Sequence, residues 1–212
     1  MYTGGGVPIA RLILVRHCQT DWNAERRIQG KTDVPLGAAG RHQAEALARL
    51  LAVEPVSAVY SSPLRRAAET AEIIARPHSL PVRLVADLRE LDQGELEGLS
   101  VEEMRSNYRE FWAAWSRDPA GVRIPGGETM AELAERVWGA VSGIVRQHPG
   151  ETVVVVTHGF ALLTVVARAL DLELGYIRRF RVDCGGVCRL DFGRQPPALL
   201  SFNETVHLRL PD

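Results

Sequence analysis

Lysine is almost missing from this chain: Lys31 is the one lysine among 25 basic residues, and the others are arginine. Schiff-base chemistry, which needs a desolvated lysine, therefore has almost nothing to work with. Cysteine is scarce as well, and Cys18, Cys184 and Cys188 form an odd set. A secreted disulfide framework uses more cysteines, evenly counted. Neither charge sign prevails, since 25 Lys+Arg against 26 Asp+Glu leave a formal charge of -1. Bulk charge thus supports no nucleic-acid or membrane-surface partner. The opening Met-Tyr-Thr-Gly-Gly-Gly has neither the basic nor the apolar region of a signal peptide and reads as a flexible lead-in. The most apolar stretch, 152–170, is broken by His158, Gly159 and Arg168, and a charge near a bilayer centre is costly. There is no period of 20 to 50 residues and no low-complexity tract. These absences lead to the expectation of a soluble, cytoplasmic protein.

What is present is a pattern of short apolar runs alternating with longer amphipathic ones. The 212 residues are 46% hydrophobic, enough to bury roughly 70% of the unfolded surface. Leu12 to Val15 reads as a strand covered on both faces, and Val56 to Tyr60, Val82 to Val85 and Thr152 to Val156 read as further strands, the last the strongest. Helical spacing of apolar residues runs over 40–53, 64–75, 129–147 and 160–170. Ser100 with Glu103 forms a capping box that opens a helix carrying Met104, Phe111 and Trp115. Val187 to Phe192 and Ala198 to Phe202 read as a closing hairpin around 193–197. Strands alternating with helices predict a three-layer α/β/α sandwich, with a mostly parallel central sheet and an antiparallel edge from the hairpin. The organisation expected is a single domain over 1–212, with a strand-poor insertion at about 91–128 over one end of the sheet.

The chemistry-bearing residues fall at strand ends. Arg16-His17 follows the first strand, Ser61-Ser62-Pro63-Leu64-Arg65-Arg66 the second, and Thr157-His158-Gly159 the valine strand. Arg89-Glu90 lies just beyond the third. Open α/β sheets bind ligands at that carboxyl edge, so four segments converge on one expected site. The residue types suit a phosphoryl group. Arginine presents a planar fork to phosphate oxygens, histidine can carry the group transiently, and a carboxylic acid can protonate a leaving alkoxide and then activate water.

Leu14-Val15-Arg16-His17-Cys18-Gln19-Thr20-Asp21-Trp22-Asn23 resembles the signature of the histidine phosphatase superfamily, which includes the cofactor-dependent phosphoglycerate mutases. The resemblance continues through 27–36, 61–71, 88–98, Gly126-Gly127-Glu128 and 156–159, in the family's order. It implies that His17 is the phospho-accepting nucleophile and Glu90 the proton donor. It further implies that Arg16, Arg66 and His158 hold phosphoryl oxygens, that Asn23 adds an amide donor, and that Gln29 and Gly30 line the substrate mouth. It implies a phosphatase acting on a small phosphorylated metabolite through phosphohistidine, with no metal and no cofactor, and a homodimer. The alternative is a cofactor-dependent phosphoglycerate mutase using the same site; a non-catalytic phosphate-binding relative is a third reading. The 29–36 stretch looks more like the phosphatase branch, and the chain lacks the longer middle region of the mutases. Phosphoserine, α-ribazole phosphate, glucosyl-phosphoglycerate and broad-specificity phosphatases are all similar. Gln93, where the phosphoserine phosphatases have His, counts against the first of these.

Some residues depart from the family pattern or compete for a role. Cys18 stands where Gly or Ala is usual, which predicts crowding, and Phe160 stands where small residues help hold phosphate. The Cys-x5-Arg spacing of cysteine phosphatases fits neither Cys18 nor Cys184, and Cys184 with Cys188 lacks the second ligand pair of a zinc site. Glu95 and Glu97 compete with Glu90 as the acid, and Arg65 with Arg66. His42, His78 and His148 receive no role, and His207 is expected at the surface. Gln93, Tyr108, Trp112, Trp115 and Arg123 are candidate contacts for the leaving group, although a tryptophan pair at this spacing also reads as local core.

Overall fold

The computed structural model describes residues 10–193 and 196–209; the lead-in expected at 1–6 and part of the turn expected at 193–197 lie outside them. Six strands form one sheet: β1 (Arg11–Arg16), β2 (Val56–Ser61), β3 (Val82–Leu84), β4 (Thr152–Thr157), β5 (Val187–Asp191) and β6 (Ala198–Glu204). Seven α-helices accompany them: α1 (Asp21–Ala24), α2 (Ala38–Leu51), α3 (Arg65–Ala75), α4 (Val101–Asn107), α5 (Arg109–Arg117), α6 (Met130–Gln147) and α7 (Gly159–Ala169). The strand order is β3-β2-β4-β1-β5-β6. β3, β2, β4 and β1 run parallel, while β5 pairs antiparallel with both β1 and β6. The mostly parallel sheet with an antiparallel edge is therefore present as expected.

Alternation along the central strands divides the core between two layers. Ile13 and Val15 of β1, with Val154 and Val156 of β4, pack against Leu47 and Leu51 of α2 and Ala71 and Ile74 of α3. Their neighbours Leu12, Leu14, Val153 and Val155 face the other way, onto Val137 and Val141 of α6 and Leu162 and Val166 of α7. β4 is buried at all six positions, the mark of a strand covered on both faces. Truncating a fully buried leucine such as Leu14 to alanine should cost about 2–5 kcal/mol.

The segment over the sheet edge corrects one expectation. The single helix predicted after Ser100 is two helices, α4 and α5, separated at Tyr108 (φ −122°, ψ 51°). The Ser100–Glu103 capping box forms as read. Tyr108 donates its backbone N–H to Met104, and its hydroxyl meets Glu95 at 3.3 Å. With the bend, Met104 and Trp115 both reach the sheet-side core together with Leu91, Leu96 and Ile124. No glycine or proline lies between Val101 and Arg117, so nothing local announced the break.

Candidate active site

The first strand delivers Arg16 and His17 to the carboxyl edge, and the backbone then holds the turn in place. His17 N–H bonds to Thr157 O at 2.8 Å, Cys18 N–H bonds to Thr70 Oγ1 at 3.1 Å, and Gly185 N–H is shared by the carbonyls of Arg16 and His17. Thr20 caps α1 in a reciprocal box with Asn23, and Gln29 Nε2 donates to Thr20 Oγ1 at 2.8 Å. Asn23 thus spends its side-chain oxygen on the cap and lines the cleft.

His17 is buried. Its Nδ1 lies 2.7 Å from Cys18 O; a carbonyl only accepts, so Nδ1 carries the proton and Nε2 keeps its lone pair. Burial, then the charges of Arg66 and Arg16, hold its pKa well below the ordinary histidine value, so the ring is neutral at neutral pH. His158, the N-cap of α7, lies with its ring centroid 5.1 Å from that of His17, and its Nε2 is 2.8 Å from Ser62 Oγ. Burial and the same two arginines depress its pKa too, with His17 contributing. It is not among the residues lining the cleft, but its Nδ1 has no protein partner among the described residues.

Arg66, in the first turn of α3, is completely buried. Its Nη1 donates to Thr32 O at 2.9 Å and its Nη2 to Gly30 O at 2.8 Å. Burial lowers its pKa to about 10, so it remains a cation at neutral pH. Arg16 donates through Nη1 to Val182 O at 2.6 Å. The Nε atoms of both arginines and Nδ1 of His158 are buried with no protein partner among the described residues. A buried donor left unpaired is costly, and an arginine Nε can only donate.

Glu90 sits at the N-terminus of α7, where backbone N–H groups lack helical partners. Its Oε1 accepts from Leu91 N at 2.9 Å and Ala161 N at 3.2 Å, and its Oε2 from Phe160 N at 3.2 Å. A Cβ built on Gly159 would lie 3.5 Å from Arg16 Nε and 3.6 Å from Glu90 Oε2, so the guanidinium and the carboxylate flank one glycine.

A cleft of about 480 Å³ joins these groups to the strand-poor segment. Arg16, His17, Asn23, Gln29, Arg66 and Glu90 line it toward one end, and Met104, Phe111, Trp112, Trp115, Phe160 and Phe180 form apolar wall. Gly30, expected at the mouth, does not line the cleft. It lends its carbonyl to Arg66 and packs so closely on Glu97 and Gln93 that a Cβ would meet Gln93 N at 2.7 Å. Among the other expected contacts, Gln93, Trp112 and Trp115 line the cleft; Tyr108 and Arg123 do not. Arg123 instead pairs with Glu132 at 2.5 Å and bonds to Gly127 O. His207, expected at the surface, is buried, and its Nε2 lies 3.1 Å from Gly185 O, behind the His17 turn. Cys18 is buried and its thiol pKa is pushed up to about 12 by burial, so it offers no thiolate at neutral pH.

Two positioning residues, Arg136 and Glu128, received no role from the sequence. Arg136 of α6 donates to the carbonyls of Asp87, Arg89 and Glu90 at 2.8 Å each and forks onto both carboxylate oxygens of Glu128. Glu128 Oε2 in turn accepts from Asp92 N at 3.1 Å. The pair grips the backbone on both sides of Glu90. One signal was available: an arginine directly beside the apolar stripe Leu133, Val137, Val141 of α6.

A neutral buried histidine, two arginines with spare donors and a carboxylate, gathered at the carboxyl edge of an α/β/α sandwich, define a protein built to handle a phosphoryl-like oxyanion. Comparison with known proteins gives the family. The chain belongs to the histidine phosphatase superfamily, whose branch 1 model matches residues 12–205. It is 44% identical over 166 residues to phosphoglycerate mutase-like protein 4 of Arabidopsis thaliana, covering 77% of this chain and 72% of the relative. It is 34% identical over 200 residues to phosphoserine phosphatase 1 of Hydrogenobacter thermophilus, covering 94% and 95%. The solved structure of Bacillus stearothermophilus YhfR superposes with a TM-score of 0.87 at 32% identity, covering 94% of this chain and 99% of that one. These relatives support a phosphatase or mutase activity. Among the described residues no helix is long and apolar enough to cross a membrane.

Proposed function

We propose that the protein is a phosphomonoesterase that cleaves a small phosphorylated metabolite through a phosphohistidine at His17. The observation that carries the reading is the pair of buried arginine Nε donors without acceptors beside a neutral His17. A phosphoryl group bound there would supply the missing acceptors. His17 Nε2 attacks phosphorus, and the ester oxygen departs with a proton from Glu90. Arg16, Arg66 and His158 Nδ1 donate to the three non-bridging oxygens, where transition-state charge gathers. Asn23, whose side-chain oxygen is committed to the cap, has its amide N–H left to add. Glu90, now a carboxylate, takes a proton from water as that water attacks the phosphohistidine, and inorganic phosphate leaves with His17 restored. No metal or cofactor enters these steps. A mutase would run the first half and return the phosphoryl group to a second position of its substrate.

The test traps labelled enzyme during turnover in EDTA and assays inorganic phosphate release against 3-phosphoglycerate isomerisation. The expected result is an acid-labile, base-stable label that vanishes in His17→Ala, with phosphate released. Persistence of the label in that variant, loss of activity in EDTA, or isomerisation without net release would overturn the reading.

A further inference from the structure

The cleft beyond the phosphoryl end is apolar and aromatic. Phe111 and Trp115 pack with centroids 5.6 Å apart, and Phe160 meets Trp115 edge-on at 6.2 Å. Two guanidinium groups lie over the Trp112 ring, Arg105 at 4.6 Å and Arg178 at 5.5 Å from its centroid. Cations stacked on an indole fix it in place, so Trp112 is a preformed wall rather than a loose side chain.

Three arginines also line this stretch of the cleft, and each holds at least one partner. Arg27 bonds to Glu25 at 2.7 Å and Gly98 O at 2.8 Å. Arg178 Nη1 bonds to Ser116 O at 2.6 Å, and Arg181 pairs with Asp183 at 2.8 Å. The buried Nε donors without partners belong to Arg16 and Arg66, at the phosphoryl end. Gln29 and Gln93, also on the cleft, are neutral amides. Most of the wall is aromatic or aliphatic, and a carboxylate laid against those faces would lose hydration.

We infer that the alcohol half of the substrate is a bulky, apolar, ring-bearing group, and that Trp112, at the centre of the aromatic wall, sets that preference. The inference rests on the phosphatase reading above and names the substrate class for the same cleft. It sets this chain apart from what the names of its phosphoserine and phosphoglycerate relatives would suggest.

The experiment compares kcat/KM for propyl phosphate, 3-phenylpropyl phosphate, phosphoserine and 3-phosphoglycerate. The two alkyl alcohols are primary and of similar acidity, so the chemical step is matched and their ratio reports the wall. In parallel, calorimetry compares the non-hydrolysable 4-phenylbutylphosphonate with butylphosphonate. One methylene in an apolar pocket is worth roughly 10–200-fold; a phenyl ring should favour the phenylpropyl ester at least about 10-fold over its propyl counterpart and over both acids. Trp112→Ala should shrink the phenylpropyl-to-propyl ratio and Trp112→Phe should keep most of it. Phosphoserine or 3-phosphoglycerate turned over as well as the phenylpropyl ester overturns the inference, and so does a ratio untouched by Trp112→Ala. If no ester is hydrolysed but the phenyl phosphonate binds tighter, the phosphatase reading falls and the apolar pocket stands. Equal phosphonate affinities sink the pocket assignment even where esters are hydrolysed.

Discussion

The two ends of the cleft are held by different means. At the phosphoryl end, side chains arrive from four separated segments, and His17, Arg66, Arg16 and Glu90 are each tied to backbone carbonyls or amides. At the other end, much of the wall comes from one contiguous stretch, 91–128, and its rings touch one another and the core. Directional bonds fix positions to tenths of an ångström, which charge stabilisation in a transition state requires. Apolar contact is non-directional and scales with area. Changes at the first end should therefore lower the rate for every substrate, while changes at the second should reorder substrates.

The strongest way to break that contrast is at His17. His17→Ala should cost on the order of 10⁴–10⁶-fold in kcat on all esters alike, as loss of a nucleophile does. A substrate-dependent loss would put His17 in the recognition half. Glu90→Gln comes next. Removing a positioned acid costs ~10²–10⁴-fold, but p-nitrophenolate leaves without a proton. Alkyl esters should therefore suffer far more than p-nitrophenyl phosphate, and equal losses would contradict the role. Arg66→Lys keeps a charge but cannot reach both Gly30 O and Thr32 O while presenting a donor to phosphate. Its kcat/KM should lie nearer Arg66→Ala than wild type; near-wild-type kinetics would move the phosphate contact to Arg65.

Arg136 sharpens the comparison, because it touches neither end of the cleft yet governs one of them through Glu90. Arg136→Lys loses the fork on Glu128 and most of the bonds to the carbonyls at 87, 89 and 90. A displacement near 1 Å costs about 10²-fold, and the loss should follow the Glu90 pattern, larger on alkyl than on nitrophenyl esters. A uniform loss on both would reduce Arg136 to a structural residue.

Much of this contrast could be read before any coordinates. The strand pattern gave the sheet because four apolar runs had no other place to be buried. The convergence of His17, Arg66 and Glu90 on one cleft was legible because each follows a strand or an ordered motif. What stayed hidden was settled by tertiary contact. The α4–α5 break has no glycine or proline to mark it, and Gly30 turns its carbonyl to Arg66 instead of bordering the cleft. His207 is buried because a residue distant in sequence, Gly185, accepts it. Glu128 was visible in its Gly-Gly-Glu run, but its work depends on an arginine eight residues along the next helix.

The buried histidines also predict how stability responds to acid. The folded-state pKa of His17 and of His158 is depressed, while the unfolded chain protonates near 6.5. Above that value both states are neutral and pH has no leverage through these groups. Below it the unfolded state binds more protons, so stability falls by roughly 1.4 kcal/mol per pH unit per histidine until the folded form protonates too. Urea unfolding between pH 7 and pH 5 should show that decline, and His17→Ala should make it shallower. Identical slopes for the variant and the wild type would mean that His17 is not the neutral buried ring described above.

The smallest effect expected is at Arg123, and it probes whether the far wall is apolar in function as well as in composition. By sequence Arg123 is a candidate leaving-group contact, and an arginine there would favour acidic substrates. In the fold it points away, paired with Glu132 and Gly127 on the surface. An exposed ion pair of this kind contributes little to stability, and its charge lies outside the cleft. Arg123→Ala should leave kcat/KM for propyl, phenylpropyl and p-nitrophenyl phosphates within about twofold, with their order unchanged. A selective loss on phosphoserine or 3-phosphoglycerate would show Arg123 swinging into the cleft during turnover. It would then add a further guanidinium to the cleft, and the division between a polar reacting end and an apolar selecting end would have to be redrawn.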